Sequence, residues 1–115
     1  MEIPHLFLNQ VLVISPNKKS FYTHEGPLFT KHSLELIERY KAHKVIINLR
    51  QLSSIDSSGL FILLHLLKQV KKKGGIIKLS NVESEVRIIL EIVRLHKLFE
   101  IYPSHEDAIR AFRYE

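Results

Sequence analysis

Read from the amino end, the chain changes its apolar rhythm several times, and each change marks an element. "VLVIS" at 11–15 is a β-branched apolar run closed by Pro16-Asn17, which predicts a strand and then a turn. "HLFL" at 5–8 predicts an edge strand before it, joined through an Asn9-Gln10 turn. From Pro27 to Lys41 the rhythm turns helical: Leu28, Phe29, Leu34, Ile37 and Tyr40 recur among charged neighbours. Pro27 suits a first helical turn, which puts the start near His24 to Pro27. "KVIINL" at 44–49 is a continuous apolar run, as expected of a strand covered on both faces. A helix follows from Ser58 to Lys73, then Gly74-Gly75 and a further strand, "IIKLS", at 76–80. Asn81 opens a turn into a helix from Glu83 to Leu95, with Val86, Ile89, Leu90 and Val93 on one face. "IY" at 101–102 predicts a last short strand. "SHEDAIRAFRYE" predicts a terminal helix with Ser104 as N-cap and Asp107 three residues on, close to a capping box.

Strands alternating with helices predict an α/β fold with a mixed sheet. No interior linker, repeat or low-complexity segment divides residues 1–115, so one domain is expected.

The helix after residue 57 carries the strongest pattern. At roughly 100° per residue, Leu60, Leu63, Leu64, Leu67 and Val70 form one broad apolar face, widened by Ile62 and Leu66. His65, Lys68, Gln69 and Lys72 form the opposite, wet stripe. Phe61 breaks the rule, since its spacing puts it on the wet stripe and one turn from Ser57. A large apolar residue in that position is either tucked against a loop or an anchor for a partner.

Composition narrows the picture further. Apolar residues at 45% and charged residues at 25% are ordinary for a folded globular protein. The longest apolar stretch, "GLFILLHLL", is interrupted by His65 and falls well short of the ~20 residues of a membrane span. The start, "MEIPHLFLNQ", has an early acid and no basic leader, unlike a signal peptide. Cysteine is absent, which excludes disulfides and thiol chemistry and fits a reducing compartment. These features together predict a cytoplasmic protein. The net charge is +5 but scattered, and the one run, Lys71-Lys72-Lys73, sits where cations complement a helix C-terminus before a glycine stop. A direct nucleic-acid partner is therefore not expected.

"DSSG" at 56–59 combines two favoured N-cap residue types at the mouth of the greasiest helix. Only one residue can cap, so the tetrad is oversupplied. Gly59 in the first turn costs ~1 kcal/mol relative to alanine, which points to a close approach there. A hydroxyl at a helix N-terminus also suits phosphorylation, because free N–H groups and the positive dipole end accommodate phosphate. Asp56 beside it opposes the added charge.

At this point the chain resembles the STAS domain, the sulphate-transporter and anti-sigma-factor-antagonist fold, and is most similar to the free-standing antagonists. The resemblance runs from Val11 to Ala111, carried by "VIINLRQLSSIDSSGL", "KKKGGIIKLSNVESEVRIILEIVRLHKLFEIY" and "SHEDAIRAF". It implies a four- to five-stranded mixed sheet, with helices mainly on one side and a C-terminal helix. It implies an anti-sigma factor antagonist that works by partner switching. Its partners would be an anti-sigma factor with serine protein kinase activity and a PP2C-type phosphatase, and it would have no turnover or cofactor of its own. The kinase would phosphorylate the serine after the aspartate, here Ser57. Asp56, Ser58 and Gly59 match the rest of that motif, Phe61 lies on its stripe, and Asn48 falls at the end of the central strand, where the family places Asp or Asn. The chain departs from the family in three places. "KSFY" at 19–22 stands where an acidic element precedes the first helix, Phe61 replaces a small residue, and Arg94 replaces a glycine near the end of the third helix.

Two other classes compete. A non-catalytic STAS subunit of an ABC-type lipid transport complex would also use an apolar helix and Phe61. An enzyme is disfavoured: there is no G-x-x-x-x-G-K-[ST] loop and no H-E-x-x-H. The seven histidines, at 5, 24, 32, 43, 65, 96 and 105, lack short metal-ligand spacings, and Ser57 has no base at readable spacing.

Overall fold

Two of the apolar runs supply the centre of the sheet. A computed structural model describes residues 3–20 and 25–114. It orders the strands β1 (His5–Leu8), β2 (Val11–Ile14), β3 (Lys44–Asn48), β4 (Ile76–Ser80) and β5 (Ile101–Tyr102) in sequence order across one five-stranded sheet. β1 and β2 are antiparallel, joined by the two-residue turn Asn9-Gln10, in which both residues have positive φ (54° and 65°). The remaining pairs are parallel, each connected through helical chain.

Helices α1 (Glu25–Tyr40), α2 (Ser57–Lys72) and α3 (Ser84–Ile92) connect the parallel strands, and α4 (His105–Ala111) follows β5. Alternation along β2 and β3 sorts their side chains into two cores. Leu12, Ile14, Val45 and Ile47 join the helical residues Phe29, Leu36, Leu63, Leu66 and Leu90 in the larger one. Val11, Val13 and Ile46 point the other way, onto Ala108, Ile109 and Phe112 at the C-terminal end. The expected arrangement, helices mainly on one face with a terminal helix, is the one observed.

Several boundaries move, for identifiable reasons. α2 begins at Ser57 rather than Ser58, because Asp56 is the N-cap. It ends at Lys72, where Gly74 (φ +77°) and Gly75 donate to the Lys71 and Val70 carbonyls, both at 2.9 Å, in a Schellman closure. A Cβ at Gly75 would lie 2.8 Å from the His43 carbonyl oxygen, so glycine is required there. The buried face of α2 is Gly59, Ile62, Leu63, Leu66, Leu67 and Val70, with Leu60 and Leu64 only half-buried. Its centre is thus rotated toward Ile62 and Leu66, which were expected only at the margin. α3 stops at Ile92 instead of Leu95, because Arg94 adopts a left-handed conformation (φ 64°) and sends the chain into a 3₁₀ turn at Leu95–Lys97. Leu95 is therefore buried, while Val93, expected on the apolar face, is exposed. Ser104 caps α4, its hydroxyl accepting from the Asp107 N–H at 3.1 Å. The expected start of α1 at His24, and Phe21 and Tyr22 of the "KSFY" segment, lie outside the described residues.

β4 holds an unexpected residue. Lys78 is 1% exposed, with its ammonium 4.7 Å from the centre of the Phe112 ring and 5.4 Å from that of Tyr102. It pairs with Glu100, which also accepts from the Tyr102 hydroxyl at 2.8 Å. Both donors favour the ionised acid, and they hold the Glu100 carboxyl below the usual carboxylate range.

Candidate functional site: the mouth of the second helix

The site is built by the connection from β3 to α2. The Leu49 N–H donates to the Ser80 carbonyl at 2.9 Å, and the Leu52 N–H donates back to the Leu49 carbonyl at 3.0 Å. Both leucines are fully buried, which anchors the start of the loop. Asn48 is buried at the strand end, its Oδ1 accepting from the Arg50 N–H at 3.0 Å, so it shapes the turn that leaves β3. Further on, the Ser53 and Ser54 N–H groups both donate to the Lys19 carbonyl, at 3.0 and 3.3 Å. The loop is thereby pinned to the segment that follows β2 before it delivers Asp56.

Asp56 has extended backbone geometry (φ −115°, ψ −171°), and its Oδ1 accepts from the Gly59 N–H at 3.0 Å. Its carbonyl accepts the first intrahelical bond, from the Leu60 N–H at 3.0 Å. Capping is thus performed by the aspartate alone. Ser57 and Ser58, in the first turn, are exposed, and their hydroxyls make no hydrogen bond among the described residues. Gly59 is buried behind them.

Phe61 lies one turn further along and is 69% exposed. Its ring stacks against His65, with centroids 6.3 Å apart and planes 10° apart. Together with Ser57, Ser58, Ile62 and His65 it forms one wall of a groove of about 530 Å³. The other wall is the N-terminal turn of α1, Gly26, Pro27 and Thr30. At the far end of the two helices, the Lys73 ammonium bonds a Glu38 carboxylate oxygen at 2.9 Å and holds that acid below the usual range.

Of the residues expected at the site, Asp56, Ser57, Ser58, Gly59 and Phe61 come together at this mouth, with Ser57, Ser58 and Phe61 presented outward. Asn48 stands apart from the groove lining, inside the turn. The α1 wall and His65 were not expected. Pro27 in a first helical turn hinted at the start of α1, but the approach of that turn to Phe61 is a product of helix packing. Among the described residues, no group of three His, Cys, Asp or Glu could hold a metal ion, and no helix is long and apolar enough to cross a membrane.

The family profile described as the STAS domain matches residues 7–108. The chain belongs to the STAS domain family. A putative anti-sigma factor antagonist from Thermotoga maritima is 24% identical over 110 residues, covering 96% of each chain. The crystal structure of a putative anti-sigma factor antagonist from the same organism superposes with a TM-score of 0.86 at 25% identity, over 96% of this chain and 94% of that one. An anti-sigma F factor antagonist from Paenibacillus polymyxa is 31% identical over 75 residues, 65% of this chain and 64% of that protein. The antagonist SpoIIAA in its unphosphorylated form shares the fold, with a TM-score of 0.80 at 20% identity over 98% and 97% of the two chains. Within this STAS domain, Arg94 stops α3 by adopting a left-handed backbone conformation that glycine reaches without strain.

Proposed function

We propose that this STAS protein is a cytoplasmic anti-sigma factor antagonist that works by partner switching, its state set by phosphorylation of Ser57. The observation that carries the reading is the pairing of an unbonded, exposed serine hydroxyl with an exposed phenylalanine one turn away, on the lip of a groove. Relatives named as anti-sigma factor antagonists support the partner class. In the unphosphorylated state, Ser58, Phe61 and the groove form a weakly polar surface for an anti-sigma factor that is also a serine kinase. Asp56, Gly59 and Asn48 hold that surface in shape through the cap and the preceding turn.

Phosphorylation would add about −1.5 to −2 charges at the first helical residue. The helix N-terminus tolerates such charge, but the Asp56 carboxylate beside it already occupies the Gly59 N–H. The phosphate therefore projects outward and makes the lip beside Phe61 strongly anionic. A partner docked on an uncharged lip is expelled, and a PP2C-type phosphatase restores binding. The chain acts in this cycle as substrate and binding module, without turnover of its own.

The test is incubation of the purified protein with ATP and its anti-sigma kinase, followed by intact-mass and peptide mass spectrometry. One phosphate is expected, absent from Ser57→Ala and retained in Ser58→Ala. Phosphate at another residue, or stable capture of an ABC transporter ATPase in place of a kinase, would overturn the reading.

A further inference from the structure

We infer that two copies of this chain join through the outer edges of their β1 strands, antiparallel about a two-fold axis at Leu6. β1 is the terminal strand of the sheet, and among the described residues no strand pairs with its outer side. The Pro4 carbonyl accepts from the Ser15 N–H at 2.8 Å, and the pairing Leu6↔Val13 and Leu8↔Val11 continues that phase. Alternation then turns the N–H and C=O groups of His5 and Phe7 away from β2. Those two residues present an open hydrogen-bonding edge. β1 contains none of the lysines or prolines that usually blunt such an edge.

The side chains fit the same assembly. Leu6 and Leu8 are 44% and 47% exposed, on the sheet face where Val11 and Val13 pack against α4. On the other face, the Phe7 ring stacks on Tyr40 with centroids 4.7 Å apart, and His5 hydrogen-bonds the Tyr40 hydroxyl at 3.3 Å. The occupant is a second copy for two reasons. An antiparallel strand pair is self-complementary about a two-fold axis, so an open edge of this kind fits itself. The chain carries a net charge of +5, yet "HLFL" has no formal charge with its histidine neutral, so like-charged copies can approach here with little repulsion.

The register follows from the open groups. His5 of each copy exchanges both backbone hydrogen bonds with Phe7 of the other. Leu6 then faces Leu6 in a non-hydrogen-bonded position, with Cα atoms about 4.5 Å apart. The two leucines close over the strand junction and extend the α4-side core across the axis. The inference is independent of the role assigned to Ser57.

Sedimentation velocity across a series from low micromolar to near-millimolar protein tests the association. The weight-average mass should rise toward twice that of the chain, and Leu6→Lys should hold it at the monomer value with an unchanged circular dichroism spectrum. Leu6→Cys tests the register, because the chain has no other cysteine. It should form a covalent dimer under mild oxidation, at a spacing that disulfides accept. Leu8→Cys, set opposite Pro4 of the other copy, should not. A monomer at every concentration, a dimer that survives in folded Leu6→Lys, or equal crosslinking of the two cysteine variants would overturn the inference. If Leu6→Lys fails to fold, the cysteine pair decides alone.

Discussion

Phe61 and Lys78 break the same rule in opposite directions. One is a large apolar ring left mostly in solvent on α2, and the other is an ammonium group sealed beneath α4. Lys78 is accounted for within the molecule: Glu100 supplies a counter-charge, while Phe112 and Tyr102 supply ring faces. Among the described residues, Phe61 has one ring companion, His65, and otherwise lines an open groove beside two exposed serines. A misplaced group whose needs are met internally belongs to the fold, whereas one whose needs are left unmet points to a contact outside the chain.

The largest expected effect separates Phe61 as an outward anchor from Phe61 as a structural residue. Phe61→Ala should weaken binding of the anti-sigma partner by tenfold or more, equivalent to about 1.4 kcal/mol or above, in isothermal titration. The same variant should shift unfolding stability by less than about 0.5 kcal/mol. A loss of several kcal/mol in urea denaturation would move Phe61 to the side of Lys78.

The second expected effect lies with Glu100. Glu100→Gln removes the carboxylate that pairs with the buried ammonium. The loss should be about 1–2 kcal/mol, below the ~3–5 of a fully buried pair because the carboxylate side chain is 62% exposed. Lys78→Met, which removes the buried charge itself, should cost less than Glu100→Gln. The pH dependence has a definite sign. The folded-state pKa of Glu100 is depressed, so its contribution is complete above the unfolded value of about 4.3 and is lost as pH falls through the lower folded value. Urea titrations in the acid range should show a shallower loss of stability in Glu100→Gln than in the parent chain.

The smallest effect sharpens the rule at the backbone. Arg94→Gly should stabilise the protein by about 0.5–1 kcal/mol, because glycine occupies the left-handed position without the side-chain penalty. No change, or a loss, would mean that contacts of the arginine side chain outweigh that relief.

Periodicity made α2 legible, and with it the exposure of Phe61, because a helix wheel depends on a single element. It located the face less well: Gly59 counts as blank on a wheel yet lies at the buried centre, which pulls the axis toward Ile62 and Leu66. Lys78 was not legible. "IIKLS" announces a strand, but what covers each side of that strand depends on α4, some thirty residues later. The early end of α3 was hidden for a similar reason, since the apolar spacing runs smoothly through Val93 and gives no sign of the reversal at Arg94. At the candidate site, "DSSG" revealed the cap and the serines. The groove depends on Gly26, Pro27 and Thr30 meeting Phe61 across two helices, a relation that no local spacing encodes.

The main-chain pin at Lys19 carries a consequence for how this site can diverge. Its carbonyl, not its side chain, holds the Ser53 and Ser54 N–H groups. Any residue except one that reshapes the backbone can occupy position 19 and still fasten the loop that presents Asp56. The charge carried at position 19 can therefore change while the main-chain scaffold beneath it stays the same. Shape and charge at this mouth are thus set by different atoms of the same residue, so one can be altered without the other.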